Sequence, residues 1–146
     1  MDNLSLFVET LQGIMIARNI KPKDIKEVTK ISLPVIYEWL KKAAVPKLNS
    51  LILLSEYFQC SIDYLCGRTY NDVFVKAANP IPFPERFRFI LNKSGVPIRK
   101  LSAETKISTS GIQRFLKGTG KPLFDNLIIL AAYFGCSIDY LVGREK

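Results

Sequence analysis

The side chains best equipped for recognition chemistry lie close together late in the chain: Thr109, Ser110, Gln113, Arg114 and Lys117, followed by Lys121. Gln113 carries an adjacent donor and acceptor, the pattern that matches the major-groove edge of adenine. The Arg114 guanidinium is a planar fork that matches guanine or a phosphate. An ordinary solvated helix face carries polar residues at the same spacing, so residue types alone do not separate binding from solubility. Covalent and metal chemistry find less to work with. The 146 residues include no His and three Cys, whereas general-base catalysis, nucleophile activation and zinc sites draw on His or on closely spaced Cys pairs. Cys60 and Cys66 are six apart and Cys136 stands alone, which suits small apolar core residues better than metal ligands. The carboxylates are scattered and no Gly-rich phosphate loop occurs. Neither an enzyme nor a cofactor, metal or small-molecule ligand is expected.

The charge balance points to a polyanionic partner. There are 21 Lys and Arg against 13 Asp and Glu, a formal net charge of +8, with 48% hydrophobic residues to form packed cores. The start of the chain, Met1-Asp2-Asn3-Leu4-Ser5, lacks the cationic and apolar stretches of a secretory signal. The apolar runs Leu51 to Leu54 and Leu127 to Ala132 are too short to span a bilayer, so a cytoplasmic protein with no membrane partner is expected. Nucleic acid is favoured over an anionic membrane surface.

The elements that would position these residues emerge from an internal repeat. At an offset of 76, Phe7 to Arg68 aligns without a gap to Phe83 to Arg144, and 24 of the 62 pairs are identical. Tyr57-Phe58-Gln59-Cys60-Ser61-Ile62-Asp63-Tyr64-Leu65-Cys66-Gly67-Arg68 returns as Tyr133-Phe134-Gly135-Cys136-Ser137-Ile138-Asp139-Tyr140-Leu141-Val142-Gly143-Arg144. The reading is two domains, residues 1–70 and 83–146, joined by a connector over 71–82 whose prolines Pro80 and Pro82 favour extended chain.

Each domain reads as all-α, a bundle of five short helices. Phe7, Leu11, Ile14 and Met15 in the first copy, and Phe83, Phe87, Ile90 and Leu91 in the second, make one buried face of an opening helix. A second helix begins near Pro22 or Pro97, and Ser32 or Ser108 is placed to cap a third. The third helix buries Ile36, Trp39 and Leu40, or Ile112, Phe115 and Leu116. Gly118 can close it in a left-handed turn, which the matching Lys42 fits less easily. A fourth helix follows Pro46 or Pro122, and a fifth begins at Ser61 or Ser137. Tight turns at Lys30 and Lys106 separate the second and third helices.

Three strings, Lys106-Ile107-Ser108-Thr109-Ser110-Gly111-Ile112-Gln113-Arg114-Phe115-Leu116-Lys117-Gly118, then Lys121-Pro122, then Cys136-Ser137-Ile138-Asp139-Tyr140-Leu141-Val142-Gly143, resemble the helix-turn-helix domains of phage Cro and repressor proteins, the XRE family. The resemblance covers 62 residues in each half. It implies two tandem lambda-repressor-like domains, a double-stranded DNA partner, a nucleoid-associated location and a transcriptional repressor of phage or mobile-element type. It also implies that the third helix lies in the major groove, with Thr109, Ser110 and Gln113 facing bases, Arg114 reaching a base or phosphate, and Lys117 and Lys121 on phosphate. Ser108 belongs to the same face. Both copies lack the Gln that the family often places at the start of the second helix, having Pro22 and Ile98, for which Arg99 and Lys100 could substitute.

The copies differ where it matters for DNA. Residues 1–70 hold nine basic and seven acidic side chains, 9 − 7 = +2, while residues 71–146 hold twelve and six, 12 − 6 = +6. Leu33, Pro34, Tyr37 and Glu38 stand where the second copy has Thr109, Ser110, Gln113 and Arg114, and Lys26 replaces the small Ser102. The first domain either docks on DNA through Lys23, Lys41, Lys42 and Lys47 while reading little sequence, or binds a protein or a second copy through its apolar edge. The second alternative is slightly favoured. The fourteen residues from Thr69 to Pro82 reach about 46 Å when extended, against roughly 34 Å between neighbouring major grooves. One chain could therefore read an asymmetric site, or a homodimer a palindrome. Val73, Phe74 and Val75 would cover a domain surface or form a strand between protomers. An antitoxin-like or adaptor protein that keeps the fold is the competing reading.

Overall fold

The computed structural model describes residues 1–71, 77 and 79–145, and among these every regular element is a helix. The chain divides into two compact units, Met1–Phe74 and Val75–Lys146. The first unit holds α1 (Asn3–Arg18), α2 (Pro22–Thr29), α3 (Leu33–Leu40), α4 (Leu48–Phe58) and α5 (Ile62–Leu65). The second holds α6 (Phe83–Ser94), α7 (Ile98–Thr105), α8 (Thr109–Lys117), α9 (Phe124–Phe134) and α10 (Ile138–Leu141). In the first, α1 packs on α3 and α5, α2 on α3 and α4, and α4 on α5. The second repeats each of these pairings. Residues 73–75 lie outside the described residues.

Local chemistry explains the boundaries. Proline suits a first helical turn because the missing N–H would have no intrahelical partner there, and Pro22 opens α2. Ser61 and Ser137 cap the fifth helices by accepting the Tyr64 and Tyr140 N–H groups at 3.0 and 2.9 Å. In the first unit α1 begins earlier than its counterpart, with the Asp2 carboxylate accepting the Ser5 N–H at 2.8 Å. That hydrogen bond holds the Asp2 carboxyl below the usual carboxylate range.

The turns coincide even where the residues do not. Asn19, Lys30, Lys42 and Gln59 all take positive φ, as do their counterparts Gly95, Lys106, Gly118 and Gly135. Lys42 therefore adopts the left-handed turn at φ 58 that Gly118 takes at φ 78, despite its side chain. The turn persists because the helix end needs it: the N–H groups of Lys42 and Ala43 bond back to Trp39 and Glu38 at 2.8 Å each.

The cores are aromatic and size-compensated. Trp39 is buried and meets Phe7 edge-on at 5.8 Å. In the second unit the smaller Phe115 takes that place and contacts both Phe83 and Phe87, at 6.0 and 6.2 Å. Met15, Leu40, Leu116, Phe134 and Cys136 are only half-buried, whereas Cys60 and Cys66 are buried. The duplicated Asp and Arg at the end of each unit form an ion pair. Asp63 pairs with Arg68, and Asp139 pairs with Arg144 at 2.7 Å, the latter almost wholly buried.

Part of the connector belongs to the second unit. The Ala77 and Ile81 N–H groups donate to the Arg144 and Gly143 carbonyls at 2.8 and 3.0 Å. Gly143, at φ 82, could carry no Cβ without driving it into the Ile81 carbonyl.

Candidate nucleic-acid interface

Helix α8 is short, strongly two-faced and firmly started. Gly111, Ile112 and Phe115 face the core, while Thr109, Ser110, Gln113, Arg114 and Lys117 are exposed. Ser108 caps the helix by accepting the Gly111 N–H at 3.0 Å, and its Oγ lies 3.3 Å from that of Ser110. A Cβ on Gly111 would stand 3.1 Å from the Ser108 oxygen, a tight contact. Ser32, expected to cap α3 in the same way, makes no side-chain cap bond. Val35 occupies the position of Gly111.

Below the exposed face lies a cleft of about 240 Å³, lined among others by Lys106, Ser108, Gly111, Arg114, Lys121 and Asn126. Arg114, though exposed, runs along it toward the N-terminal end of α8. Its Cβ and Cδ run along Gly120, 3.3 and 3.9 Å from where a Cβ on that residue would be, and one guanidinium nitrogen comes within 4.0 Å of the equivalent point on Gly111. Three basic residues of different elements are among those that line it: Lys106 from the turn between α7 and α8, Arg114 from α8, and Lys121 from the loop before α9. The structure leaves Arg99 and Lys100 on α7, outside this cleft. Lys100 lies 3.9 Å from Glu104, an exposed pair one turn apart. Glu104 also accepts a hydrogen bond from Tyr133, which raises the Tyr133 hydroxyl above its ordinary pKa.

Residues 10–69 match the family described as Cro/C1-type HTH DNA-binding domain, and residues 87–141 match a family described as helix-turn-helix. The chain is a tandem pair of Cro/repressor-type helix-turn-helix domains. Neither a curated protein nor a solved structure matches it. The domain type supports a DNA-binding transcription regulator. In each helix-turn-helix domain the pair α2–α3 or α7–α8 turns through a left-handed lysine, Lys30 or Lys106, both at φ 66. Among the described residues no helix is long and apolar enough to cross a membrane.

The two helix-turn-helix domains present different chemistry on one scaffold. Across the equivalent face, Val35, Glu38 and Val45 replace Gly111, Arg114 and Lys121. Pro34, Val35, Tyr37 and Val45 are exposed, and Leu33 is half-buried. The first domain keeps its cations elsewhere: Lys23, Lys26 and Lys30 line a separate cleft with Glu27, and Lys41, Lys42 and Lys47 are exposed. Lys26 fits because it is exposed rather than pressed against α3, whereas Ser102 is half-buried.

Reasoning from residue types missed Lys106, Gly111 and Asn126. Lys106 repeats as Lys30 and so reads as a turn residue only. The signal that could have found the cleft is the exchange of Gly111 for Val35 between copies, coinciding with Arg114 for Glu38 and Lys121 for Val45.

Proposed function

We propose that the protein is a non-catalytic, sequence-specific transcription regulator of repressor type, cytoplasmic and bound to the nucleoid, whose second domain reads double-stranded DNA. The observation that carries this reading is the outer face of α8, where Thr109, Ser110, Gln113, Arg114 and Lys117 are all exposed on a helix capped at its reading end by Ser108. Helix N-terminal residues of this kind approach base edges, while Lys121, Arg99 and Lys100 supply flanking positive charge for backbone contact. Of the net charge of +8, most lies with this half, which favours encounter with DNA through the same surface.

The first domain serves in this reading as the protein-contacting half, most simply in a homodimer that presents two copies of α8 to a palindrome. Its apolar outer edge, with Tyr37 47% and Val45 44% exposed, supports that role better than base reading. The same edge favours the second reading, an adaptor or antitoxin-like protein. Selection from a randomised duplex pool separates them when run with the wild type, Arg114→Glu and Glu38→Arg. The regulator yields an enriched motif that Arg114→Glu abolishes and Glu38→Arg retains. Absence of any motif, with weak binding even at low salt, sinks it in favour of the protein-binding role.

A further inference from the structure

We infer that the first domain binds an arginine side chain of a partner protein in the groove between α1 and α5, with the guanidinium stacked on Tyr64. The inference rests on the protein-contacting role of that domain and gives its partner a chemistry. The groove holds about 650 Å³, and its lining includes Glu9, Thr10, Gly13 and Ala17 of α1, Tyr64 of α5 and Thr69 beyond it. Thr10, Gly13 and Ala17 follow one another at helical spacing, and a Cβ on Gly13 would meet nothing within 4 Å, so the α1 side is open. Glu9 adds a carboxylate. Arg18 also lines the groove, but its guanidinium is engaged, donating to the Phe58 carbonyl at 2.8 Å.

The sister domain shows what such a place accepts. Arg86, at the position of Thr10, is buried there with its guanidinium 4.0 Å from the centre of the Tyr140 ring. It donates to the Tyr140 and Glu145 carbonyls at 2.6 and 2.9 Å. Phe89 and Lys93 stand where the first domain has Gly13 and Ala17. The second domain thus supplies its own arginine, whereas the first keeps the tyrosine and lacks the arginine. Tyr64 repeats Tyr140, and the Tyr64 and Thr69 carbonyls fall at the offset of the two acceptors. A guanidinium suits this set because it is planar, stacks on a ring and carries donors for two acceptors at once, while an ammonium is a strongly hydrated point charge.

Main chain accompanies the arginine in the sister domain. The Ala77 and Ile81 N–H groups donate to the Arg144 and Gly143 carbonyls, and among the described residues no backbone N–H donates to the matching Arg68 and Gly67 carbonyls. Gly67 lines the groove. An extended protein segment that carries the arginine meets these carbonyls with its own N–H groups, which a free guanidinium ion cannot do.

The test is a chemical-shift titration of the full chain, with assigned amides, against the acetylated and amidated peptide Ala-Ala-Arg-Ala-Ala and its lysine counterpart. The arginine peptide is expected to shift the amides of Thr10, Gly13, Ala17 and Tyr64, and the lysine peptide to bind about fivefold more weakly. Thr10→Arg installs the residue with which the second domain fills its own groove and is expected to abolish these shifts. Gly13→Phe, which copies Phe89, serves as a second blocking variant should Thr10→Arg not fold. No shifts at millimolar peptide, equal binding of the lysine peptide, shifts centred elsewhere, or undiminished binding by a folded blocking variant would each overturn the site. Selection of duplexes by the same wild type judges the DNA-reading domain separately, so failure of the groove is distinguishable from failure of the regulator reading.

Discussion

Lys106 illustrates how a single residue is held at some cost to the fold. It sits at φ 66, where a side chain is disfavoured by about 1 kcal/mol relative to glycine, and it stays there because the turn between α7 and α8 requires a left-handed residue. Glycine would satisfy that turn better. Placing lysine there puts a basic residue in the lining of the cleft with Arg114 and Lys121. Lys106→Gly is therefore expected to raise the stability of the second domain by about 1 kcal/mol while weakening DNA binding, two effects of opposite sign. Chemical denaturation and duplex titration of the same variant check both. A variant that gains stability and keeps its affinity would reduce Lys106 to a turn residue. The neighbouring Gly120 acts in the complementary sense, leaving room for the Arg114 stem, whose Cβ lies 3.3 Å from where a Cβ on that glycine would be.

At the scale of elements, the helices are anchored by a mixture of local signals and long-range packing. The fifth helices are only four residues long and cannot persist by propensity. Each is held by a serine cap and by the ion pair formed after its end. In the second domain the Asp139 and Arg144 side chains are 0% and 7% exposed, against 11% and 24% for Asp63 and Arg68. A buried charge left without its partner is far more costly than a partly solvated one. Asp139→Ala should thus destabilise its domain by about 3–5 kcal/mol, and Asp63→Ala its own domain by appreciably less. Thermal or denaturant unfolding of the two variants measures the difference, and equal losses would show that burial does not set the strength of these pairs. Most of this architecture was legible beforehand. The apolar spacing located the buried faces of α1, α3, α6 and α8, and proline and serine marked where helices begin. The missing cap bond at Ser32 was not legible, because Ser32 repeats Ser108 at the same place before the third helix. Nor was the left-handed Lys42, where the bonds that close α3 override the preference of the residue.

For the molecule as a whole, duplication has set two differently charged surfaces on one scaffold. The packing of helices is the same in both domains, yet the second carries +6 of the formal charge between residues 71 and 146 and the first carries +2 between residues 1 and 70. The comparison between copies made this asymmetry readable from residues alone, since Leu33, Pro34, Tyr37 and Glu38 fall on the positions of Thr109, Ser110, Gln113 and Arg114. The cleft was hidden because its walls come from a turn, a helix and a loop that only the fold brings together. The exposed Tyr37 stands where α8 carries Gln113, and the exposed Val45 where the loop before α9 carries Lys121, which under the proposed function suits the first domain to protein contact. The most direct measurement is the base preference of the full chain, determined by selection from randomised duplexes for the wild type, Gln113→Ala and Tyr37→Ala. If α8 reads DNA and α3 does not, Gln113→Ala relaxes the preference at one base pair, worth about 1–3 kcal/mol of discrimination, and Tyr37→Ala leaves the motif as it was. A motif altered by Tyr37→Ala and untouched by Gln113→Ala would contradict the account at its centre.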